Sequence, residues 1–148
     1  MPEVVPITGE RGAIVRADLL AAAESVHRQL RPQLPADYVA RMNDVFAGGG
    51  EMAVCMVDGK VAGITVFRVL EKTFTGRELY CDDLVTDERQ RSTGVGHALI
   101  AYMEDIVRSR ACTAFTLDSG TQREQAHKFY FREGMAITAF HFSKKVGA

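Results

Sequence analysis

Three groups of residues in this chain have the types and spacing to do chemistry. The first is Arg91-Ser92-Thr93-Gly94-Val95-Gly96-His97, set between a run of β formers ending Leu84-Val85-Thr86 and a helical apolar stripe that starts at Val95. Glycines at the mouth of a helix let backbone amides turn toward an anion with no Cβ in the way, and those amides carry the positive end of the helix dipole. A nest of this type suits a pyrophosphate. The second group is Asp82-Asp83, two carboxylates in an otherwise apolar strand, which need water, partners or a function. Neighbours on a strand point to opposite faces, so Asp82 sides with Tyr80 and Leu84 unless a β-bulge shifts the alternation. The third is Tyr130, in Ala126-His127-Lys128-Phe129-Tyr130-Phe131-Arg132-Glu133-Gly134-Met135. It is either a placed proton donor or a core aromatic beside Phe129 and Phe131.

Two common phosphate-binding patterns fail on the residues. The Walker loop needs Lys and then Ser/Thr after its last glycine, where this chain has His97 and Ala98. The dinucleotide fingerprint needs three glycines directly after a first strand, whereas here two glycines follow the fourth. Arg89 and Arg91 read either as solvated charge or as ionic contacts to a phosphate. The ring of His97 reads as exposed, with its amide facing the loop. His127 and His141 have no cysteine or carboxylate at ligand spacing, so no metal site is expected.

The Gly loop, its place after Leu84-Val85-Thr86 and the Phe129-Tyr130-x-x-x-Gly134 segment together resemble the GCN5-related N-acetyltransferase (GNAT) family. The likeness is strongest from Tyr80 to Met135 and weak over the first fifty residues. It implies an α/β N-acyltransferase fold with a mixed central sheet, as a single domain over residues 1–148. Residues 1–50 would form the acceptor side and residues 77–135 the acetyl-CoA-binding and catalytic core. The implied co-substrate is acetyl-CoA. Its pyrophosphate would lie on Arg91, Ser92, Thr93, Gly94, Val95, Gly96 and His97, and its pantetheine arm along the backbone of Leu84, Val85 and Thr86. Tyr130 matches the family's general acid, and either Asp82 or Asp83, often through a water, would be the base. Where the family commonly has an Asn supporting the arm, this chain has Thr121-Gln122-Arg123-Glu124-Gln125, leaving Gln122 or Gln125 as substitutes.

The chemistry asks for both roles. A lysine-like amine, with a reference pKa of about 10.4, must lose a proton before it attacks a thioester. The departing thiolate takes one up. Asp82, Asp83 and Glu71 favour a cationic acceptor. A small amine is the implied substrate, a protein lysine or N-terminus the alternative, and a non-catalytic acyl-CoA sensor the rival class.

The elements that must position these groups are legible in the patterning. Val4–Ile7 reads as a strand, and Asp18–Leu30 has apolar residues at helical spacing. Pro35 would open a second helix with Ala36, Tyr38, Val39, Met42 and Phe46 inward, closed by Gly48-Gly49-Gly50. Strands 52–57 and 61–70 flank the hairpin signal Asp58-Gly59, and a fourth strand covers 78–86. A long helix then carries Val95, Ala98, Leu99, Tyr102, Met103, Ile106 and Val107 on one face. Strand 111–117, helix 124–132 and a final strand or hairpin over 135–144 complete the order β-α-α-β-β-β-α-β-α-β.

Composition narrows the class. The chain has 148 residues, 47% hydrophobic and 25% charged, the mix of one globular domain. A net charge of −1 excludes nucleic-acid binding by bulk charge, and no apolar run is long enough to span a membrane. Cys55, Cys81 and Cys112 read as buried free thiols, which together with an N-terminus lacking a signal pattern predicts a cytoplasmic setting. The apolar final segment with Ala139, Phe140 and Phe142 predicts edge pairing in a homodimer.

Overall fold

The computed structural model describes residues 2–91 and 93–147, which fall into two compact units, 1–117 and 118–148. The first unit contains β1 (Glu3–Pro6), α1 (Ala17–Leu30), α2 (Tyr38–Ala47), β2 (Glu51–Val57), β3 (Lys60–Lys72), β4 (Gly76–Thr86), α3 (Val95–Ser109) and β5 (Ala114–Leu117). The strands lie in the order β1-β2-β3-β4-β5. Neighbours are antiparallel up to β4, and β5 joins β4 in parallel. The second unit holds α4 (Glu124–Arg132). This is an α/β fold with a five-stranded mixed sheet and four helices.

The sheet carries a core on each face. Leu20, Ala23 and Val26 of α1 and Tyr38, Met42 and Phe46 of α2 bury against Met52, Val54, Ile64 and Val66. Residues of β3 that alternate with Ile64 and Val66 meet α3 instead. Thr65 Oγ1 lies 3.3 Å from Met103 Sδ, and the Phe67 and Tyr102 rings meet edge-on at 6.4 Å. The β2–β3 turn has Asp58 at φ 51° and Gly59 at φ 75°, the left-handed pair that a two-residue hairpin requires.

Four expectations from the sequence need correction. The second helix begins at Tyr38 rather than Pro35, because Asp37 caps it by accepting from Ala40 N at 3.1 Å. Ala36 and Val39 are consequently exposed. The fifth strand starts at Ala114, not Ala111, whose φ of 54° belongs to the turn after α3. The stripe on α3 also includes Ile100, which is buried. Finally, among the described residues, 135–147 form no strand. Cys55 and Cys81 are buried and Cys112 is half-buried, all three as free thiols. No helix among the described residues is long and apolar enough to cross a membrane.

The approach of α3 to the sheet depends on Gly63. A Cβ there would lie 2.5 Å from Val95 Cγ1, 3.1 Å from the Val85 carbonyl and 3.2 Å from Leu99 Cδ1. Gly63→Ala should therefore lower unfolding free energy by about 1–3 kcal/mol through overpacking, measured by denaturant titration. Unchanged stability would mean that α3 shifts freely on the sheet.

Candidate active site

The sheet opens where β4 outruns its parallel neighbour. On one side β4 pairs with β3 all the way to Thr86, opposite Gly63. On the other it pairs with β5 only from Glu78 to Cys81. Among the described residues no strand covers the second edge of Asp82, Asp83, Leu84, Val85 and Thr86. The Asp82 carbonyl accepts from Arg31 Nη2 at 3.2 Å, and past it the uncovered edge suits an extended polar chain.

The segment after this edge is pinned from two sides. Asp87 N donates to Ala62 O at 2.8 Å, and the buried Asp87 carboxylate accepts from Arg89 N at 3.1 Å, Arg89 Nη2 at 3.1 Å and Gln29 Nε2 at 3.3 Å. Gln29 Oε1 accepts from Glu88 N at 3.0 Å, so α1 holds this turn through both ends of one amide. The Arg89 hydrogen bond is the main reason the Asp87 carboxyl lies below its ordinary range. Arg89 is thus committed to an internal pair, while Arg91 is exposed.

Thr93 Oγ1 donates to Gln90 O, and Ser92 lies outside the described residues. Gly94 stands at the N-cap of α3 with φ 85°, and among the described residues other than its chain neighbours no atom lies within 4 Å of where its Cβ would be. Val95 is buried as the anchor of the first turn, Gly96 is half-buried, and His97 is exposed. The first helical bond runs from Ala98 N to Gly94 O at 3.0 Å. A left-handed glycine with open space at a helix start fits a pyrophosphate cradle.

The acidic pair sits on a bulge. Phe67 pairs with Cys81 and Val66 with Asp83, so Asp82 is the extra residue of β4. This overturns the parity expectation, because a bulge suspends strict alternation. Both carboxylates are met by side chains from the α1/α2 face, whereas Leu84 pairs with Thr65, whose side chain meets α3. Asp82 therefore does not share a face with Leu84.

The two carboxylates are held differently. Asp83 accepts from His27 Nε2 on one oxygen at 2.7 Å and from Arg31 Nε on the other at 2.8 Å. Behind it, the Tyr38 hydroxyl lies 2.8 Å from His27 Nδ1, with both rings buried. Burial pushes the Asp83 carboxyl up, but the bonds from His27 and Arg31 outweigh it and hold the group below its ordinary range. Burial also raises the Tyr38 phenol. Asp82 accepts from Arg68 Nε at 2.9 Å, and its side chain is 27% exposed against 14% for Asp83. Burial lifts the Asp82 carboxyl, Arg68 offsets this only in part, and the net shift is upward. Asp83 is a fixed anion, and Asp82 is the carboxylate with added proton affinity and access to solvent.

His27, Arg31 and Arg68 are partners that pattern reading missed. One signal was present. His27 falls in the inward stripe of α1, four residues after Ala23, and a histidine in an apolar stripe needs buried partners.

In the second unit, Tyr130 is half-buried on α4, with the Phe129 ring edge-on at 5.5 Å. Its carbonyl accepts from Met135 N at 3.0 Å and Glu133 N at 3.1 Å, closing the helix ahead of Gly134 at φ 89°. The Gln122 side chain folds over Gly120, 2.9 Å from where a Cβ would stand. His127 Nε2 donates to Gly120 O at 2.8 Å, and His141 pairs with Asp118 at 3.2 Å. No group of three His, Cys, Asp or Glu able to hold a metal ion occurs among the described residues.

A mixed sheet open beside its fourth strand, with a glycine-opened helix below, defines an N-acyltransferase fold. The chain matches the model of the acetyltransferase (GNAT) family over residues 17–135, and it belongs to that family of acyltransferases. It is 39% identical over 72 residues to an uncharacterized N-acetyltransferase of Bacillus subtilis (strain 168), YhdJ, a match covering 48% of this chain and 51% of that protein. The chain thus spans about half the length of this curated relative. Its fold is similar to that of aminoglycoside N-acetyltransferase AAC(6')-Iy in complex with a CoA-containing bisubstrate analogue, with TM-score 0.82, 16% identity, and coverage of 100% and 99%. It is also similar to a ribosomal-protein-alanine N-acetyltransferase from Brucella melitensis biovar Abortus 2308, with TM-score 0.74, 18% identity, and coverage of 99% and 100%. At these identities the two solved structures share the fold.

The Asp83 network makes an acid-stability prediction. Its carboxyl has a lower pKa folded than unfolded, so its stabilisation is complete above the unfolded value of about 3.9 and is lost as pH falls through the folded one. Asp83→Asn should cost about 1–3 kcal/mol at neutral pH and flatten the fall in stability below about pH 4. Parallel acid profiles in denaturant titrations would remove the network from the stability of the fold.

Proposed function

We propose that this chain transfers an acetyl group from acetyl-CoA to a primary amine of a small molecule. The observation that carries this reading is the edge of β4 beyond Cys81, which no strand covers among the described residues, followed in the chain by Gly94 at the start of α3. The backbone of Leu84, Val85 and Thr86 would bind the pantetheine arm. The amides of Thr93 to His97, with Ser92 and the exposed Arg91, would hold the pyrophosphate. Bound there, acetyl-CoA supplies an activated thioester. Asp82 would take the proton of the incoming ammonium, directly or through a water, because its carboxyl combines raised proton affinity with solvent access. Asp83, held by His27 and Arg31, would supply a fixed negative charge that favours a cationic acceptor. Tyr130 would protonate the departing thiolate.

The small-molecule acceptor draws support from the acidic pair and from the likeness to AAC(6')-Iy. The same reading places the protein in the cytoplasm, as one catalytic domain that assembles as a homodimer.

Three variants test the roles. Gly94→Glu should fold, since among the described residues other than its chain neighbours nothing lies within 4 Å, with about 1–2 kcal/mol of left-handed strain. It should lose acetyl-CoA binding by calorimetry, because a side chain and a negative charge enter the cradle. Unchanged affinity would overturn the cofactor assignment. Tyr130→Phe should keep binding and lose about 10²–10⁴ in turnover, seen in kcat more than in KM. Wild-type activity should rise with pH as Asp82 ionises, its titration displaced upward from that of an ordinary aspartate. Asp82→Asn should show a deficit that shrinks as pH rises and the amine is already neutral. Full kcat in both Tyr130→Phe and Asp82→Asn would reduce the reaction to positioning of a neutral amine. A panel of amines, with free CoA read by thiol detection, separates an enzyme from a sensor.

A further inference from the structure

The acidic pair brings its own counter-charges. Asp83 Oδ1 lies 2.7 Å from Arg31 Nη2, and Asp82 Oδ2 lies 2.9 Å from Arg68 Nε. Two carboxylates and two guanidiniums cancel. Glu71, which in the sequence looks like a third attractor of a cation, holds Arg77 at 2.6 Å. Glu24, on the same helix as His27, holds Arg28 at 2.8 Å. A site that drew an ammonium by excess negative charge would leave carboxylates unmatched. Here each of the four has an arginine, so the placement of individual charges decides which molecule fits.

The two arginines beside the pair are each gripped by one side of the guanidinium. This planar fork has five N–H donors. Arg31 binds Asp83 through Nε at 2.8 Å and the Asp82 carbonyl through Nη2 at 3.2 Å, and its Nη1 has no partner among the described residues. Arg68 binds Asp82 through Nε, its Nη1 lies 3.5 Å from the Gly48 carbonyl, and its Nη2 has no partner among the described residues. The side chains are 41% and 26% exposed, so neither fork is sealed in the core. Both meet at Asp82, one at its carbonyl and one at its carboxylate. Two held cations therefore stand beside the group that would receive an ammonium.

An ammonium brought to Asp82 meets these cations at close range and is repelled, unless the molecule carrying it also carries an anion. A guanidinium fork matches an oxyanion that accepts two N–H bonds at once. We propose that the acceptor is a zwitterion, an amine with an oxyanion in the same molecule, whose ammonium goes to Asp82 and whose oxyanion takes the unpartnered N–H groups of Arg31 and Arg68. This rests on the reading of Asp82 as the base of an acetyl transfer, and it names the substrate class of that site. The simplest such molecule is an amino acid with a free carboxylate. An amine without an anion leaves the two forks unmatched, and a site with unmatched polar groups discriminates strongly against it.

Amino acids and their methyl esters test this with the wild-type chain. Leucine, phenylalanine, methionine and β-alanine are each compared with the ester, with release of free CoA as the readout. The ester keeps the shape and loses the anion. Its amine is also less basic, so more of it is already neutral, and this bias runs against the expected result. In at least one pair the acid should lead in kcat/KM by about 10–100-fold, the worth of a hydrogen bond between charged groups. Turnover in which no acid leads its ester would overturn the zwitterion and leave the acetyl transfer standing. No turnover of any pair, with acetyl-CoA bound, would overturn the small-amine reading and the zwitterion with it. Arg31→Met and Arg68→Met should each narrow the ratio of acid to ester by raising KM for the acid. A merely structural role would lower both members alike. A folded variant that keeps the wild-type ratio would overturn that arginine's part in recognition and leave it as a counter-charge of the pair.

Discussion

Strand β4 is held along its whole length on one side and along only part of it on the other. Its antiparallel ladder to β3 runs to Thr86, while its parallel ladder to β5 ends at Cys81. The rest of the arrangement follows from that asymmetry. The strand carries a bulge on its paired side, and among the described residues no strand pairs with its last five residues on the other. Helix α3 follows this strand, and its first turn is seated by Val95 against the gap left by Gly63. An ordinary side chain at that one position of β3 would push the helix start away from the edge it adjoins.

The bulge gives the acidic pair its chemical division. Without it, alternation would send Asp82 and Asp83 to opposite faces, one toward α3. With it, both meet polar side chains at the α1/α2 face, and the environment separates their proton affinities in opposite directions. Two like charges side by side are costly unless each has a counter-charge, and the chain supplies Arg31 for one and Arg68 for the other. The extra hydrogen bond from His27, itself tied to Tyr38, locks Asp83 in place. Asp82 keeps one guanidinium and a path to water.

Local signals proved legible where local physics decides the outcome. The Asp58-Gly59 turn, the α1 and α3 stripes and the glycine at the α3 start follow from side-chain spacing or backbone sterics, and the sequence displays both. The second helix was misplaced by three residues because two cues competed, a proline suited to a first turn and an aspartate suited to a cap; the cap prevailed. The bulge at Asp82 left no mark in composition, since it is a property of the register between two strands. Arg31 and Arg68 lie 52 and 14 residues away from their carboxylates, and no pattern within one element connects them. The final segment has the composition of a strand, and composition says nothing of whether its own chain offers a neighbour.

Helix α1 ends in a cluster of commitments. Within five residues, His27 and Arg31 hold Asp83, and Gln29 holds both Asp87 and the Glu88 amide. One rigid rod therefore borders the acidic pair and braces the turn that leads to Gly94. A tilt of α1 would therefore disturb the acidic pair and the turn before Gly94 together. Helix α2 joins this network through Tyr38, whose hydroxyl lies 2.8 Å from His27 Nδ1, and Val39 beside it is exposed. Substitutions on the exposed side of α2 leave those bonds of α1 untouched.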